Sequence, residues 1–218
     1  QRLNGFITLN YLGEKFLPEI TKKYKGDKEF PKFDDVPKNL RYYGGTVLHT
    51  PLAFLEVVLG IKDKKNIFLF KHYVFFLIFF LSLISFFDIT KNRFSNWKYG
   101  ILAVLILFLS PRIFANSFYN NLDIPFMSFI IFSLNYGIKI LEKFNYKNLI
   151  FFSFFSAVAV DIRIIGIIIP FFVCSMLLIK AIKEKKFKLF FFETSAITVL
   201  TFLLIILFWP YLWEDPIK

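Results

Sequence analysis

The stretch LIFFSFFSAVAVDIRIIGIIIPFFVCSMLLI, residues 149–179, carries no charged side chain except Asp161 and Arg163 near its centre. As a single helix it would be about 46 Å long, whereas the hydrocarbon core of a bilayer is about 30 Å thick. Both charges would then lie deep in lipid, at a cost of a few kcal/mol each. We therefore predict two membrane helices here, separated by a turn at residues 161–163.

Working outward from this stretch, apolar runs fill most of the chain after residue 67. The 218 residues are 56% hydrophobic and include 33 Phe, and the mean hydropathy is +0.57, which is more apolar than a soluble domain of this size. The sequence predicts an all-α polytopic membrane protein with a transmembrane bundle over residues 67–218. Its six apolar runs are 73–87, 99–109, 124–141, 149–160, 164–179 and 189–208.

The positive charges indicate how the bundle is oriented. With six spans, the connecting segments alternate between two sides, and one set carries eleven Lys and Arg residues where the other carries three. The positive-inside rule places the richer set in the cytoplasm. Lysines between apolar runs argue against nucleic acid as the partner of this chain of net charge +11. Residues 1–66 are then an external region, with short interfacial helices expected over 6–16 and 51–59.

Cysteine and histidine chemistry is limited in this chain. Cys174 is the single cysteine, which excludes an internal disulfide and a zinc cluster built on cysteines. His49 and His72 have no partner at metal-ligand spacing. Serine-triad, P-loop and dinucleotide signatures are absent from the sequence.

This topology collects the polar residues other than lysine on the outer side, which predicts a site at the outer membrane–water boundary. Asp123 is the candidate catalytic carboxylate, although an Asp before an apolar run is also typical of a helix cap. Arg112 and Arg163 are candidates for binding a lipid phosphate, or for snorkelling to headgroups. The other candidate substrate-binding residues on this side are Arg41, Tyr43, Asn116, Asn120, Asp161 and Trp213. An Asp161–Arg163 salt bridge and a membrane-interface position for Tyr43 and Trp213 are the structural alternatives.

Four segments resemble the GT-C superfamily of membrane glycosyltransferases, and are closest to bacterial members similar to glycosyltransferase family 39. They are RYYG (41–44), SPRIFANSFYNNLDIPF (110–126), DIR (161–163) and WPYLWEDP (209–216). The family includes protein O-mannosyltransferases and aminoarabinose transferases. The resemblance implies an enzyme that transfers a sugar from a polyprenyl-phosphate carrier to a protein, lipid or glycan acceptor on the outer face, in the inner membrane of a bacterium.

The resemblance also implies two acidic residues in the site. The main catalytic carboxylate of the family follows its first transmembrane helix, which places it upstream of Gln1 if the chain is a piece of a longer protein; Asp34-Asp35 is the fallback. The second acidic residue matches Asp123, where a divalent cation is one option. Two other hypotheses remain: a transporter or flippase of lipid-linked sugars, and a non-catalytic membrane subunit.

Overall fold

The computed structural model of the chain describes residues 2–16 and 46–213. Every regular element within these ranges is a helix, which confirms the all-α prediction. The α-helices are α1 (Arg2–Phe16), α2 (His49–Val58), α3 (Lys64–Phe94), α4 (Trp97–Leu109), α5 (Pro111–Tyr119), α6 (Asp123–Glu142), α7 (Tyr146–Ile162), α8 (Ile168–Glu184) and α9 (Phe187–Phe208), with 3-10 helices at Ile164–Ile167 and Pro210–Trp213.

Several of these helices are long and apolar enough to cross a membrane. Within the described residues four qualify, namely α3, α6, α9 and the continuous segment Ile164–Glu184, and α4 with α5 would form a fifth as a bent pair. Each of the six predicted apolar runs falls within a helical segment. Helix α7 has 17 residues and is about 26 Å long, so it is too short to qualify, and the sixth of the predicted spans is not confirmed. The chain is thus a polytopic membrane protein.

The helix break expected at residues 161–163 is present, and a second break follows the predicted apolar run 99–109. Between α7 and α8, Arg163 has extended backbone angles (φ −146°, ψ 125°), so the helical hydrogen bonding stops between Ile162 and Ile164. At the other break, α4 ends at Leu109 and α5 begins at Pro111, with an angle of 67° between the two. Proline is well suited to that first helical position because its missing N–H would have no partner there.

The polar connections are shorter than expected, because the helices continue into them. The sequence suggested a connection over residues 88–98, but α3 runs to Phe94 and leaves only Ser95 and Asn96 between α3 and α4. Ser95 takes a positive φ of 51°, and the side chain of Asn96 accepts a bond from the Lys98 N–H at 3.0 Å, which caps α4. Charged residues such as Lys and Arg are good helix formers and do not stop a helix by themselves.

The described chain divides into two compact units, and residues 72–205 form the larger one. In this unit α6 and α7 pack along each other, with the buried hydroxyls of Ser133 and Ser156 hydrogen-bonded at 2.5 Å. The ammonium of Lys180 on α8 donates to the Leu141 carbonyl near the end of α6 at 2.5 Å. The carboxyl ends of α6 and α8 therefore lie together, and the amino end of α6 lies at the opposite end of the unit.

The smaller unit comprises residues 1–71 and 206–218 and contains α1, α2 and the first turns of α3. Helices α1 and α2 cover the two stretches expected to be helical, residues 6–16 and 51–59, while their position at the membrane interface stays a prediction. They meet closely at Gly5, where a Cβ would lie 2.5 Å from the carbonyl oxygen of His49. The buried Glu56 forms a 3.0 Å ion pair with Lys71, which joins α2 to α3.

Candidate active site

Asp123 is the first residue of α6, and its two carboxylate oxygens have different partners. Oδ1 accepts from Nη2 of Arg163, and Oδ2 accepts from the side-chain amide of Asn120 at 3.0 Å. The structure thus brings together three residues that the sequence proposed separately for the site. Asp123 and Arg163 are 40 residues apart along the chain.

Asn120, and not Asp123, satisfies the backbone at the start of α6. Its Oδ1 accepts from the N–H of Asp123 at 2.8 Å and from that of Leu122 at 3.1 Å. The carboxylate of Asp123 accepts only from side chains among the described residues. The alternative that Asp123 serves as a helix cap is therefore not what the geometry shows, and its carboxylate is left to interact with groups outside α6.

Arg163 reaches Asp123 because of the break between α7 and α8. The residue is the C-cap of α7, and its extended backbone directs the chain into the 3-10 helix, where the Gly166 N–H donates to the Arg163 carbonyl at 2.8 Å. A Cβ on Gly166 would lie 2.7–2.9 Å from backbone atoms of Ala159 and Val160. Only glycine allows this close approach of the 3-10 helix to α7 without a backbone shift.

The ion pair is accessible. The side chain of Arg163 is 46% exposed and that of Asp123 is 58% exposed. An exposed pair of this kind typically contributes only about 0.2–1 kcal/mol to stability, so folding alone gives little reason for it. A guanidinium has five N–H donors in a planar fork, and the contact with Asp123 leaves donors for a second anion.

Asp161 occupies a different position from Arg163 although only one residue separates them. Its side chain lies in the last turn of α7 and is 1% exposed. In the described part of the chain Arg163 makes its salt bridge with Asp123 rather than with Asp161, so the predicted Asp161–Arg163 bridge is wrong. The physical reason is the helix end: Asp161 is still in the buried helix, while the extended backbone at Arg163 turns its side chain out.

Arg112 and Asn116 lie on α5, one turn apart. The Asn116 amide donates to the backbone carbonyl of Arg112 at 2.7 Å, while the Arg112 side chain is exposed. Neither residue contacts Asp123 or Arg163 among the contacts of the described residues. Their predicted role in substrate binding remains a prediction.

Trp213 belongs to the smaller unit, and its indole N–H donates to the Ile206 carbonyl at 2.6 Å near the end of α9. Its ring lies edge-on to Phe16, with centroids 6.3 Å apart, and the Lys15 ammonium lies 5.4 Å from the ring centre. These contacts give Trp213 a structural role in its own unit. Arg41 and Tyr43, and the fallback pair Asp34-Asp35, lie outside the described residues.

Among the described residues, those around Asp123 do not by themselves form a cation site. Asp123 is the one carboxylate that this part of the chain places in the cluster, and its two neighbours present N–H donors to it, whereas Mg²⁺ and Ca²⁺ need several oxygen ligands. Residues 2–16 and 46–213 contain no group of three or more His, Cys, Asp or Glu side chains arranged to hold a metal. The donor set instead favours an anionic ligand on Arg163.

Sequence reasoning named Asn120 but missed its capping role, and it missed Gly166 altogether. The sequence held a signal for the capping role of Asn120, because an Asn side chain often accepts hydrogen bonds from backbone N–H groups that follow it closely in the chain. Gly166 is a lone glycine in a run of isoleucines, and such a glycine often marks a close backbone approach. The sequence alone does not show which backbone it approaches.

Fold and site together define a polytopic helical membrane protein with an exposed carboxylate–guanidinium pair at one end of its larger unit. The family described as dolichyl-phosphate-mannose-protein mannosyltransferase matches residues 53–212, most of the chain, and the protein belongs to that family. It is therefore a membrane glycosyltransferase of the GT-C type. No curated protein and no solved structure matches the chain.

Proposed function

We propose that this protein transfers a sugar from a polyprenyl-phosphate carrier to an acceptor at the extracytoplasmic face of the membrane. The observation that carries the proposal is the exposed Asp123–Arg163 pair at the end of the bundle opposite the lysine-rich helix ends. A carboxylate next to a guanidinium with free donors supplies the two kinds of group that such a transfer needs. The family's own description names a lipid-phosphate sugar donor, which supports the choice of carrier.

Arg163 is proposed to bind the phosphate of the donor. Its neighbours Ile164 and Ile165 are 72% and 60% exposed, so a cationic group adjoins apolar surface. A polyprenyl phosphate has the same combination, an anionic head on an apolar tail. Guanidinium binds phosphate oxygens through parallel charge-assisted hydrogen bonds, which also stabilise the negative charge that grows on the leaving phosphate.

Asp123 is proposed to act on the acceptor. The acceptor oxygen attacks the anomeric carbon of the sugar and forms a new C–O bond. The old bond from that carbon to the phosphate oxygen breaks, and its electron pair stays on the lipid phosphate. The proton of the acceptor hydroxyl passes to a carboxylate, a type of assistance worth about 10²–10⁴ in rate. A single displacement of this kind inverts the anomeric configuration.

The test is to incubate the purified protein in vesicles with a radiolabelled polyprenyl-phosphate mannose and candidate acceptors, and to measure label transfer. Arg163→Gln should lower kcat/KM by about 10²–10³ if the guanidinium stabilises the leaving phosphate. The matched control is Arg93→Gln, which removes the same charge at the other end of the larger unit. Movement of the intact carrier across the membrane with no transferred sugar would instead favour a transporter.

A further inference from the structure

The turn between α3 and α4 concentrates positive charge and aromatic rings at the end of the larger unit opposite Asp123. Lys91, Arg93 and Lys98 are all exposed, and Asp88 is the only acidic residue between His72 and Leu122. Helices α3 and α4 form an antiparallel pair here, since a Cβ on Gly100 would lie 2.6 Å from the ring of Phe87. The proposed transfer reaction uses none of these basic residues.

A cavity of about 410 Å³ lies at this turn, lined by Lys91, Asn92, Ser95, Asn96 and Trp97. The site is an open depression whose lining combines the basic Lys91, the polar Asn92, Ser95 and Asn96, and the large apolar ring of Trp97. The Asn96 side chain is already used to cap α4, and the Lys91 ammonium lies 5.9 Å from the ring of Phe87. The cavity therefore combines a cation with amide and hydroxyl donors, which suits an anionic group that carries several oxygen acceptors.

The position of the turn relative to the lipid headgroups indicates which anion can bind there. The α3 surface before the turn exposes Phe80 and Ile84 by 50% and 55%, as a lipid-facing helix does. At the turn itself Trp97 and Tyr99 are 56% and 49% exposed, and such rings favour the level of the lipid headgroups. An anion at this level, next to apolar helix surface, is the phosphate of a membrane lipid.

We propose that the α3–α4 turn binds the headgroup of an anionic phospholipid such as phosphatidylglycerol, with Lys91 and Lys98 facing the phosphate and Trp97 against the glycerol region. This site is separate from the donor site at Asp123 and Arg163, and does not depend on the reaction proposed there. The proposal predicts that this turn binds anionic headgroups more strongly than other lysine-rich surfaces of the protein do.

The test compares two variants with the same charge loss at the same end of the unit. Lys91→Gln/Arg93→Gln/Lys98→Gln removes the charges of the turn, whereas the control Lys183→Gln/Lys185→Gln/Lys188→Gln removes three from the end of α8 and the start of α9. Binding of dioleoyl-phosphatidylglycerol and dioleoyl-phosphatidylcholine to the detergent-solubilised protein is measured by native mass spectrometry. The turn variant should lose at least about tenfold in phosphatidylglycerol affinity, since each basic group near anionic lipid contributes roughly fivefold, and the control should change less than about twofold.

A second measurement does not depend on whether the triple variants fold, because it uses only the wild type and Trp97→Phe. Phosphatidylglycerol with brominated chains should quench the fluorescence assigned to Trp97, taken as the difference between wild type and Trp97→Phe, more strongly than brominated phosphatidylcholine. Equal losses in the two triple variants, or equal quenching by the two lipids, would overturn the proposal and leave only general surface attraction.

Discussion

Replacing Asp123 by Asn separates the catalytic role of this carboxylate from any structural role. The substitution keeps the size of the side chain and removes its charge. In the structure it would weaken two contacts, the ion pair with Arg163 and the hydrogen bond from Asn120, while the bonds of the Asn120 oxygen to the start of α6 remain.

The expected structural cost is small. An ion pair whose partners are 46% and 58% exposed contributes about 0.2–1 kcal/mol. The loss of an acidic residue from the first turn of α6 adds roughly 0.3–1 kcal/mol. For a chain of this size these terms lower the midpoint of thermal unfolding by a few degrees. The rate of sugar transfer should instead fall by about 10²–10⁴ if the carboxylate takes the acceptor proton.

Initial rates of transfer and the unfolding midpoint in detergent are measured on the same preparations. Asp88→Asn serves as the matched control, because it makes the same chemical change on α3 at the other end of the unit. If Asp123→Asn retained turnover within about threefold of wild type, the proposed catalytic role would be wrong. The double variant with Arg163→Gln should be little slower than the slower single variant, since residues that act as one unit are not additive.

Three further predictions concern Gly166, His49 and the orientation of the chain in the membrane. Gly166→Ala forces the 3-10 helix away from the backbone of Ala159, so it should cost about 1–3 kcal/mol in stability and reduce transfer, both measurable on the purified protein; unchanged stability and rate would show that the approach is not required. Burial and the charge of Lys71 lower the pKa of His49 to about 4, so the unfolded chain binds more protons than the folded chain below about pH 6.5. Stability should therefore fall by up to about 3 kcal/mol as the pH drops from 6.5 to 4, and an unfolding series in detergent should be flatter for His49→Gln. In a cysteine-free background, an impermeant thiol reagent outside the cell should label a cysteine at Asn121 and not one at Lys185; labelling of the second would reverse the predicted orientation.

The sequence predicted much of the fold because membrane helices follow local rules. Length and charge were enough to divide residues 149–179 into two helices, and α4 ends at Leu109, where the predicted apolar run 99–109 ends. Helix ends were harder to predict, as α3 shows by continuing to Phe94. A helix can continue beyond the hydrocarbon core, because Lys and Arg side chains outside the core are compatible with helical structure.

The site was predicted as a set of residues but not as an arrangement. Asp161 and Arg163 were expected to meet in the turn between the two helices, yet Arg163 binds a residue 40 positions away. Spacing reports which residues share a turn, whereas the partner of Arg163 depends on how α7 packs against α6. That packing is set by buried contacts such as Ser133 with Ser156, which no local pattern pairs.

The membrane itself connects the fold to the proposed chemistry. A charged residue in the middle of residues 149–179 is too costly in lipid to remain inside a continuous helix, so the chain must break there. The break frees the Arg163 side chain, and the close approach at Gly166 holds the break against α7. Because α6 runs antiparallel to α7, its first residue lies at the same end, and that residue is Asp123. The constraint that removes charge from the hydrocarbon thus also places a cation and a carboxylate side by side at the end of the bundle, where we propose that the phosphate of a lipid-linked sugar binds.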